Sequence, residues 1–435
     1  MNPASTIEDA IFLFDPLKSL SEPEEMASFY VDRGSDVRSH FSLMLRNNDI
    51  RQKMPIKLLF TGHKGCGKST EMNKLCLELD DQFFIVKVQT GKRPDVTYTD
   101  VLLKAAMSLL KEANDKEVIK RSLAQKTSGI WDKAAGFVEK VVFGEVSLPD
   151  DTAMPAEMTA RISFFGLEFE NKFEAEPETR QSMRRSSENR ISEIVNNINL
   201  MADRLRADLG KPVLLVFEDT DRLDMATAKE LFYERAVTLT QFRVSAIFLL
   251  DIGLRYSDRF AGLRQHFHDF KVLPNIKLKT REGEPYPAGE ALLKQIVLSR
   301  LDPSLIEDDA LQTIIENSGG LARTLMSLMR DASLIAAARG SQKIEVHDAQ
   351  RAVNRLRGDF VALLGSKDYA VLNARHLDKD LNNDAEIQSL LEKLAILEYP
   401  RDESWCDVHP ILLPEIERRL RHRSDFPVRP FAVLT

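Results

Sequence analysis

The sequence has few cysteines, no long apolar run and no excess of basic residues. Three cysteines in 435 residues, Cys66, Cys76 and Cys406, exclude a disulfide framework, and none has the paired short spacing of a zinc site. Uninterrupted apolar runs reach only about five residues, against the roughly 18 that a membrane-spanning helix needs. The first residues lack a basic stretch followed by an apolar one, so no secretory signal is expected. We therefore expect a cytoplasmic protein with no membrane segment.

The remaining composition is that of an ordinary globular protein. Apolar residues make up 43% and charged residues 29%, which excludes an intrinsically disordered or collagen-like chain. At roughly 150 residues per domain, the length predicts about two to four domains. The formal net charge of −7 argues against a surface built chiefly to bind phosphates, but it leaves room for a local basic patch.

The first informative segment is a glycine-rich loop between an apolar strand and a helix. Residues 57–61 form a short apolar run, and residues 62–70, GHKGCGKST, fit the pattern G-x-x-x-x-G-K-[ST]. Apolar residues at spacings of three and four follow, which predicts a helix that begins at Lys68. Such a loop wraps a phosphate with its backbone N–H groups, because glycines bring no Cβ and adopt positive φ angles. The predicted nucleotide-binding residues are Gly62, His63, Lys64, Gly65, Cys66, Gly67, Lys68, Ser69 and Thr70.

Two side chains of this loop have expected roles. Lys68 would reach the β- and γ-phosphates of a nucleotide, and the hydroxyl of Ser69 would bind Mg²⁺. The helix N-terminus adds partial positive charge at the same place. Dinucleotide-dependent redox chemistry is disfavoured, because the loop does not read G-x-G-x-x-G.

A second segment carries acids of the kind that a nucleotide-hydrolysing site needs near its metal. Residues 213–217 are an apolar strand that is followed directly by Glu218 and Asp219, and then by Asp221. The distance along the chain from the glycine-rich loop leaves room for an intervening strand. A solvated strand end that is acidic by chance is the alternative explanation.

Together, GHKGCGKST and LLVFEDTDRL resemble the additional-strand, catalytic-acid class of P-loop NTPases, specifically AAA+ proteins and the related STAND ATPases. In AAA+ proteins of the origin-recognition type, the second motif commonly reads four apolar residues, Asp-Glu, one residue and Asp-Arg-Leu. The resemblance implies that Glu218 lies at the Mg²⁺ and that Asp219 activates water, with the two acids in reversed order. A shifted register, with Asp219 near the metal and Asp221 as the base, stays open. In the first register the shorter catalytic carboxylate favours slow hydrolysis, which suits a switch.

The resemblance also implies the fold, which is an α/β P-loop NTPase core with a parallel five-stranded sheet. Numbered along the chain, the strands would lie in the order 5-1-4-3-2. An all-α lid and a winged-helix domain would follow. The strands are expected near residues 57–61, 83–88, 213–217, 244–250 and 271–278.

Two further groups of site residues follow from the resemblance alone. Asp251 ends an apolar strand where AAA+ proteins place sensor 1, and a helix-capping aspartate explains it equally well. Arg259 and Arg264 lie in the interval of the arginine finger, with surface ion pairs as the alternative.

The remaining candidates lie further from the two motifs. Gly-Gly-x-x-Arg at 319–323 resembles the motif of the AAA+ lid, so that Arg323 would be sensor 2 and contact the nucleotide across the domain cleft. Val31 and Arg33 precede the first strand, where AAA+ proteins often contact adenine, although core packing also explains Val31.

Three domains are predicted, at 1–287 for the ATPase core, 288–357 for the lid and 358–435 for the winged helix. Within the core, an insertion at about 114–185 is expected to carry a hairpin around residues 159–170, with Gly166 at the turn. An inert surface elaboration is the alternative. The helix at 384–393, in the recognition position of the winged helix, carries more acids than bases, so DNA readout by it is not expected.

The leading functional expectation is an ATPase that uses ATP and Mg²⁺ as a nucleotide-dependent assembly switch. It would self-associate and act on a separate partner or effector protein, and family analogy suggests bacterial antiphage defence as the setting. The alternative is a DNA-associated AAA+ loader or remodeller of the origin-recognition type, which makes DNA a further candidate partner. A third hypothesis is an ATP-gated scaffold that does not hydrolyse the nucleotide.

Overall fold

A parallel five-stranded sheet organises the first two thirds of the chain. The computed structural model describes residues 1–91, 96–124, 129–143, 155–174, 181, 184–185, 187–382, 384–399 and 404–424. The strands are β1 Lys57–Thr61, β2 Phe84–Gln89, β3 Val213–Glu218, β4 Ser245–Leu250 and β5 Asp269–Val272. They lie in the order β2-β3-β4-β1-β5, and every neighbouring pair is parallel. Read from the other edge this is 5-1-4-3-2, which confirms the predicted fold class.

The burial of the strands explains their sequences. All five residues of β1 are buried, because β4 and β5 flank it and helices cover both faces of the sheet. The last strand ends earlier than the sequence predicts, at Val272 and not near residue 278. Pro274 follows two residues later, and a proline has no backbone N–H to continue a strand ladder.

Helices surround the sheet and connect its strands. Those of the first two thirds are α1 Ile7–Leu13, α2 Pro23–Phe29, α3 Val37–Leu45, α4 Lys68–Leu79, α5 Tyr98–Asp115, α6 Val118–Ala124, α7 Gly129–Phe143, α8 Pro155–Glu174, α9 Ile191–Leu209, α10 Met225–Lys229, α11 Ala236–Thr240, α12 Ile252–Arg255 and α13 Phe260–Arg264. In the described parts of the chain, every helix is too short or too polar to cross a bilayer.

The predicted hairpin around residues 159–170 is wrong, since these residues lie within α8. Its buried side chains recur every three or four residues and so occupy one face of a helix, which overrides the approximate alternation of the sequence. Gly166 lies inside this helix and forms no turn. The buried residues are Ile162, Phe165, Phe169 and Phe173.

The described part of the insertion extends the hydrophobic core. The helices α6, α7 and α8 pack with α5 and α9 on one side of the sheet. Trp131 is fully buried at their centre, and its indole N–H donates to the Ser122 hydroxyl at 3.2 Å. These helices therefore form part of the folded domain and do not project from it.

The lid follows the sheet and packs on the N-terminal helix. Its helices are α14 Pro287–Leu298, α15 Asp308–Asn317, α16 Ala322–Ala338 and α17 Val346–Ala362. Ile7 and Ala10 of α1 share one core with Leu325 and Leu328 of α16. The first residues of the chain therefore join the lid, although their place in the sequence suggests the sheet domain.

The C-terminal part has the elements that a winged helix requires. It contains α18 Asp368–Asp378, α19 Ala385–Glu392, β6 Ile396–Tyr399, β7 Trp405–Val408 and α20 Leu413–Ser424. The two strands pair antiparallel, with Tyr399 opposite Trp405 and the two rings stacked at 4.6 Å between centroids. Residues 425–435 of the predicted domain lie outside the described residues.

Candidate nucleotide-binding site

The glycine-rich loop joins β1 to α4 and has the backbone shape that its sequence predicts. Gly65 and Gly67 have φ angles of +88° and +105°, which other residues rarely adopt. A Cβ on Gly65 would lie only 2.6 Å from the Cβ of Arg323. Gly67 forms the left-handed cap from which α4 begins at Lys68. Glycine at these two positions therefore lets the loop pass close to Arg323 and turn into the N-terminus of α4.

Lys68 forms a buried ion pair at the base of this loop. Its Nζ lies 2.9 Å from Oδ2 of Asp221 and donates to the carbonyls of Gly62 and His63 at 2.8 and 3.1 Å. Burial alone would lower the pKa of Lys68, but the Asp221 carboxylate outweighs it and the pKa is raised. Burial likewise would raise the pKa of Asp221, but Lys68 outweighs it and the pKa is lowered. Both groups are therefore charged at neutral pH.

The three acids at the end of β3 lie beside different partners. Glu218 pairs in register with Gln89, and its carboxylate lies 3.7 Å from the ammonium of Lys87. Burial raises the pKa of Glu218. Asp219 adopts a left-handed φ of +63° and lies 3.0 Å from Arg222. Of the three, Asp221 is the acid that lines the cleft beside the loop.

The sequence motif gives little indication that Asp221 would lie against Lys68. The resemblance implied Glu218 and Asp219 as the acids of the site, and named Asp221 only in the shifted register. The sequence feature that could have indicated this contact is that Asp221 is the third acid of the motif, two residues after Asp219. The structure brings this acid, and not the first two, against the lysine of the loop.

Arg323 meets the loop from the lid. Its backbone N–H donates to the carbonyl of Gly65 at 3.0 Å, and its Nε donates to the carbonyl of Pro16 at 3.2 Å. Burial lowers the pKa of Arg323, and Arg222 nearby acts in the same direction. The Gly-Gly-x-x-Arg motif and the loop thus lie in direct contact, as the sequence comparison implies.

The N-terminal segment forms another wall of the cleft, whose cavity volume is about 200 Å³. Arg33 donates to the carbonyls of Cys66 and Pro274, so it ties this segment to the loop. Val31 lines the cleft and also packs against the core of the lid. Ser69 and Thr70 line the same cleft.

The remaining predicted residues divide into one that contacts the loop and two that do not. Asp251 lies 3.1 Å from Lys64 of the loop and also accepts the N–H of Gly253 at 2.8 Å, so it both caps α12 and contacts the site. Arg259 lies 5.0 Å from the centroid of the Tyr233 ring, and Arg264 ends α13. Both arginines are exposed and lie outside the cleft.

The C-terminal domain also contacts the loop, which sequence reasoning missed. The Nε2 atom of His63 accepts the backbone N–H of Glu398 in β6 at 2.8 Å. Burial lowers the pKa of His63 to about 3, so the ring is a neutral acceptor. The buried Glu398 carboxylate pairs with Arg255. A contact between residues so far apart in the sequence leaves no local pattern by which it could be predicted.

The helix in the recognition position of the winged helix is packed against the core. Gln388 of α19 donates to the carbonyl of Tyr256 at 2.8 Å. A Cβ on Gly253 of α12 would lie 2.8 Å from the Glu392 carboxylate. In this arrangement α19 is covered by α12 along the side that carries Gln388 and Glu392.

Comparisons with known proteins find similarity among solved structures and not among sequences. Neither a protein-family model nor a curated protein sequence matches the chain. Among similar solved structures is the Aeropyrum pernix ORC1 protein in complex with DNA, with 13% identity, a TM-score of 0.45, and coverage of 94% of this chain and 98% of that one. A Walker-type ATPase of Pyrococcus abyssi has 14% identity, a TM-score of 0.46, and coverage of 93% and 99%. The Thermotoga maritima RuvB Holliday junction branch migration motor has 14% identity, a TM-score of 0.41, and coverage of 96% and 100%.

The neighbours include an ORC1 protein and RuvB, whereas the resemblance of this chain to AAA+ ATPases of the origin-recognition type rests on its two sequence motifs. Identities of 13–14% and TM-scores of 0.41–0.46 assign neither a family nor an activity to this chain. The similarity to STAND ATPases stays a prediction.

Proposed function

We propose that the chain binds ATP with Mg²⁺, hydrolyses it, and uses its nucleotide state to switch its assembly. The observation that carries this proposal is the convergence of Lys68, Ser69, Asp221 and Arg323 on one cleft beside a glycine-rich loop. The cleft lies at the carboxyl ends of the parallel strands, where open α/β sheets bind their ligands.

The residues of the cleft suit a nucleotide and its metal. Lys68 and Arg323 supply positive charge for the phosphates, and the loop supplies backbone N–H groups at a helix N-terminus. The Ser69 hydroxyl and the Asp221 carboxylate supply oxygen atoms, which Mg²⁺ prefers. The bound metal would neutralise charge on the phosphates.

Hydrolysis also needs a base that accepts a proton from water. The ion pair with Lys68 lowers the pKa of Asp221, and this makes Asp221 a weak base. We therefore do not assign Asp221 as the base. In this proposal its carboxylate stays charged, beside Lys68 and the metal. We keep the assignment of Asp219 as the base that the motif implies, although its carboxylate also faces a cation, Arg222 at 3.0 Å. Glu218, beside Lys87, would support the metal from the end of β3.

The contacts of the loop support a switch. It touches the lid through Gly65 and Arg323, the N-terminal segment through Cys66 and Arg33, and the C-terminal domain through His63. ATP can favour one arrangement of these parts only by contacting it more strongly than the others. A change at the loop would therefore reach three separate parts of the chain.

In this proposal the chain self-associates and then engages a separate effector protein. Arg259 and Arg264 are exposed beside β5, so either could reach the nucleotide of a neighbouring copy. Family analogy gives bacterial antiphage defence as the setting. The DNA-loader alternative is less favoured, because α19 is packed against the core.

Amide substitutions of the three acids test the assignment. We expect Asp219→Asn to lower the rate of phosphate release by about 100-fold, the usual scale for losing a general base, with ATP affinity nearly unchanged. Asp221→Asn should weaken Mg²⁺-dependent ATP binding about tenfold or more, because it removes the carboxylate that this proposal places at the metal. Glu218→Gln should have a smaller effect on binding. Phosphate release and equilibrium binding of a fluorescent ATP analogue measure these effects.

Asp115→Asn is the matched control, since Asp115 is exposed at the end of α5. It should leave both measurements unchanged. If Asp221→Asn alone stops release while ATP binding is intact, the shifted register is correct. If none of the three acids affects release, hydrolysis at this cleft is contradicted.

A further inference from the structure

A second cavity, of about 380 Å³, lies at the opposite end of the sheet. It forms where the chain enters β1, β4 and β5, and it borders the last turns of α9. Because β1 separates it from the glycine-rich loop, the two sites lie about 15 Å apart, the length of a five-residue strand. The nucleotide cleft therefore does not account for it.

The lining of this cavity is strongly cationic, although the whole chain has a net charge of −7. Of the described residues that line it, Asp203 is the one acid. It lies 2.5 Å from Arg243, and both side chains are more than half exposed, so this pair is weak. The basic and titratable residues of the lining are Lys53, Lys57, Arg206, Arg243, His266 and His268.

The floor of the cavity holds two cationic side chains, Lys57 and Arg206, and one buried acid, Asp49. Lys57 is 2% exposed, and its ammonium donates to the carbonyls of Phe242 and Val244 at 2.9 and 2.7 Å. Burial lowers its pKa to about 8, against the opposing effect of Asp49. That same buried Asp49 also accepts from Arg206 at 2.8 Å.

Two cations therefore share one buried carboxylate. Asp49 further accepts the hydroxyl of Ser245 at 2.5 Å, so its oxygens are committed to the fold. An ammonium that is buried with only carbonyl groups and a shared acid gains stability when an anion binds beside it. This charge deficit distinguishes the cavity from a solvated basic surface.

We propose that this cavity binds a small molecule that carries a phosphate group. Lys53 and Arg243 would hold the group at the rim, and Lys57 and Arg206 would balance its charge from the floor. A guanidinium donates two parallel hydrogen bonds to a phosphate. The concave shape and the volume suit a compact ligand, whereas a polynucleotide backbone calls for an extended groove. This proposal does not depend on the proposed function of the loop.

Titration of the full chain with inorganic pyrophosphate tests the site. The Lys68→Ala variant is used, so that the glycine-rich loop contributes little. Adding Lys53→Glu and Arg243→Glu should weaken pyrophosphate binding at least tenfold. The control pair Lys343→Glu and Arg351→Glu makes the same change of charge at exposed positions elsewhere, and should change binding less than twofold.

A second measurement avoids Lys68→Ala altogether, in case that variant does not fold. Crystals of the wild-type protein soaked with tungstate should show anomalous scattering between Lys53 and Arg243. The proposal is overturned if the Lys68→Ala protein does not bind pyrophosphate and no such peak is seen. It is also overturned if both pairs of substitutions weaken binding equally, or if they affect only a single-stranded oligonucleotide and not pyrophosphate.

Discussion

Lys68→Ala is expected to weaken ATP binding by at least about 100-fold and to abolish phosphate release. Losing a charged group that is hydrogen-bonded to phosphate costs about 2–5 kcal/mol, and each 1.4 kcal/mol is a factor of about ten in affinity. Lys68 is the one residue of the loop whose ammonium is already held at the N-terminus of α4, beside Asp221. Equilibrium binding of a fluorescent ATP analogue measures the effect.

A loss of binding must be separated from a loss of folding, because Lys68→Ala leaves Asp221 buried without its partner. Breaking a buried pair costs about 3–5 kcal/mol of the free energy of unfolding. The double variant Lys68→Ala/Asp221→Asn should recover part of this stability and still fail to bind ATP. Lys343→Ala, at an exposed site, is the control and should bind ATP normally. Tight binding by the folded double variant would contradict the role of Lys68.

The same pair gives a pH dependence with a definite sign. The folded state lowers the pKa of Asp221, so the stability from this acid is present above its ordinary pKa of about 3.9 and is lost as the pH falls through the lowered value. The folded state raises the pKa of Lys68, so its contribution is lost only as the pH rises through that raised value. Both contributions are intact at neutral pH.

Gly320→Ala is expected to lower the free energy of unfolding by at least about 3 kcal/mol, which is large for a single methyl group. The added Cβ would lie 1.8 Å from the backbone oxygen of Ile276 and 2.8 Å from its carbonyl carbon. These are main-chain atoms in the segment after β5, and they cannot move aside without shifting that segment. Because Gly320 lies three residues before Arg323, the lid should also lose its contact with the loop. Chemical denaturation measures the change.

Gly340→Ala separates the clash from backbone strain. Gly340 has the same φ of +74°, and a Cβ there would meet nothing within 4 Å. Its substitution should therefore cost only the strain of a left-handed residue, about 1 kcal/mol. Equal losses in the two variants would show that the close approach of Ile276 is not what requires glycine at 320.

The parts of the fold that could be predicted are those encoded in short segments. The strand, loop and helix around Lys68 follow one another directly, so spacing and glycine content were enough. The first four strands were found for the same reason, each being a short apolar run, whereas the fifth was predicted at 271–278 and lies at Asp269–Val272. The hairpin at 159–170 failed because a short stretch with alternating apolar residues also fits one face of a helix.

What could not be predicted depends on contacts between distant segments. The motif suggested which acids belong to the site, but only packing decides that Asp221 lies against Lys68. The contact of His63 with Glu398 joins the second residue of the loop to a strand near the C-terminus. The cationic cavity is assembled from the approaches to three strands and from α9, so no single stretch of sequence displays it.

The central claim is that ATP at this cleft changes how the chain assembles. The most direct measurement is the molecular mass in solution, with ATP and Mg²⁺ and without nucleotide, for the wild type, Lys68→Ala and Asp219→Asn. We expect ATP to convert the wild type into a larger species, Asp219→Asn to hold that species, and Lys68→Ala to prevent it. A mass that stays the same with and without ATP in all three proteins would contradict the claim.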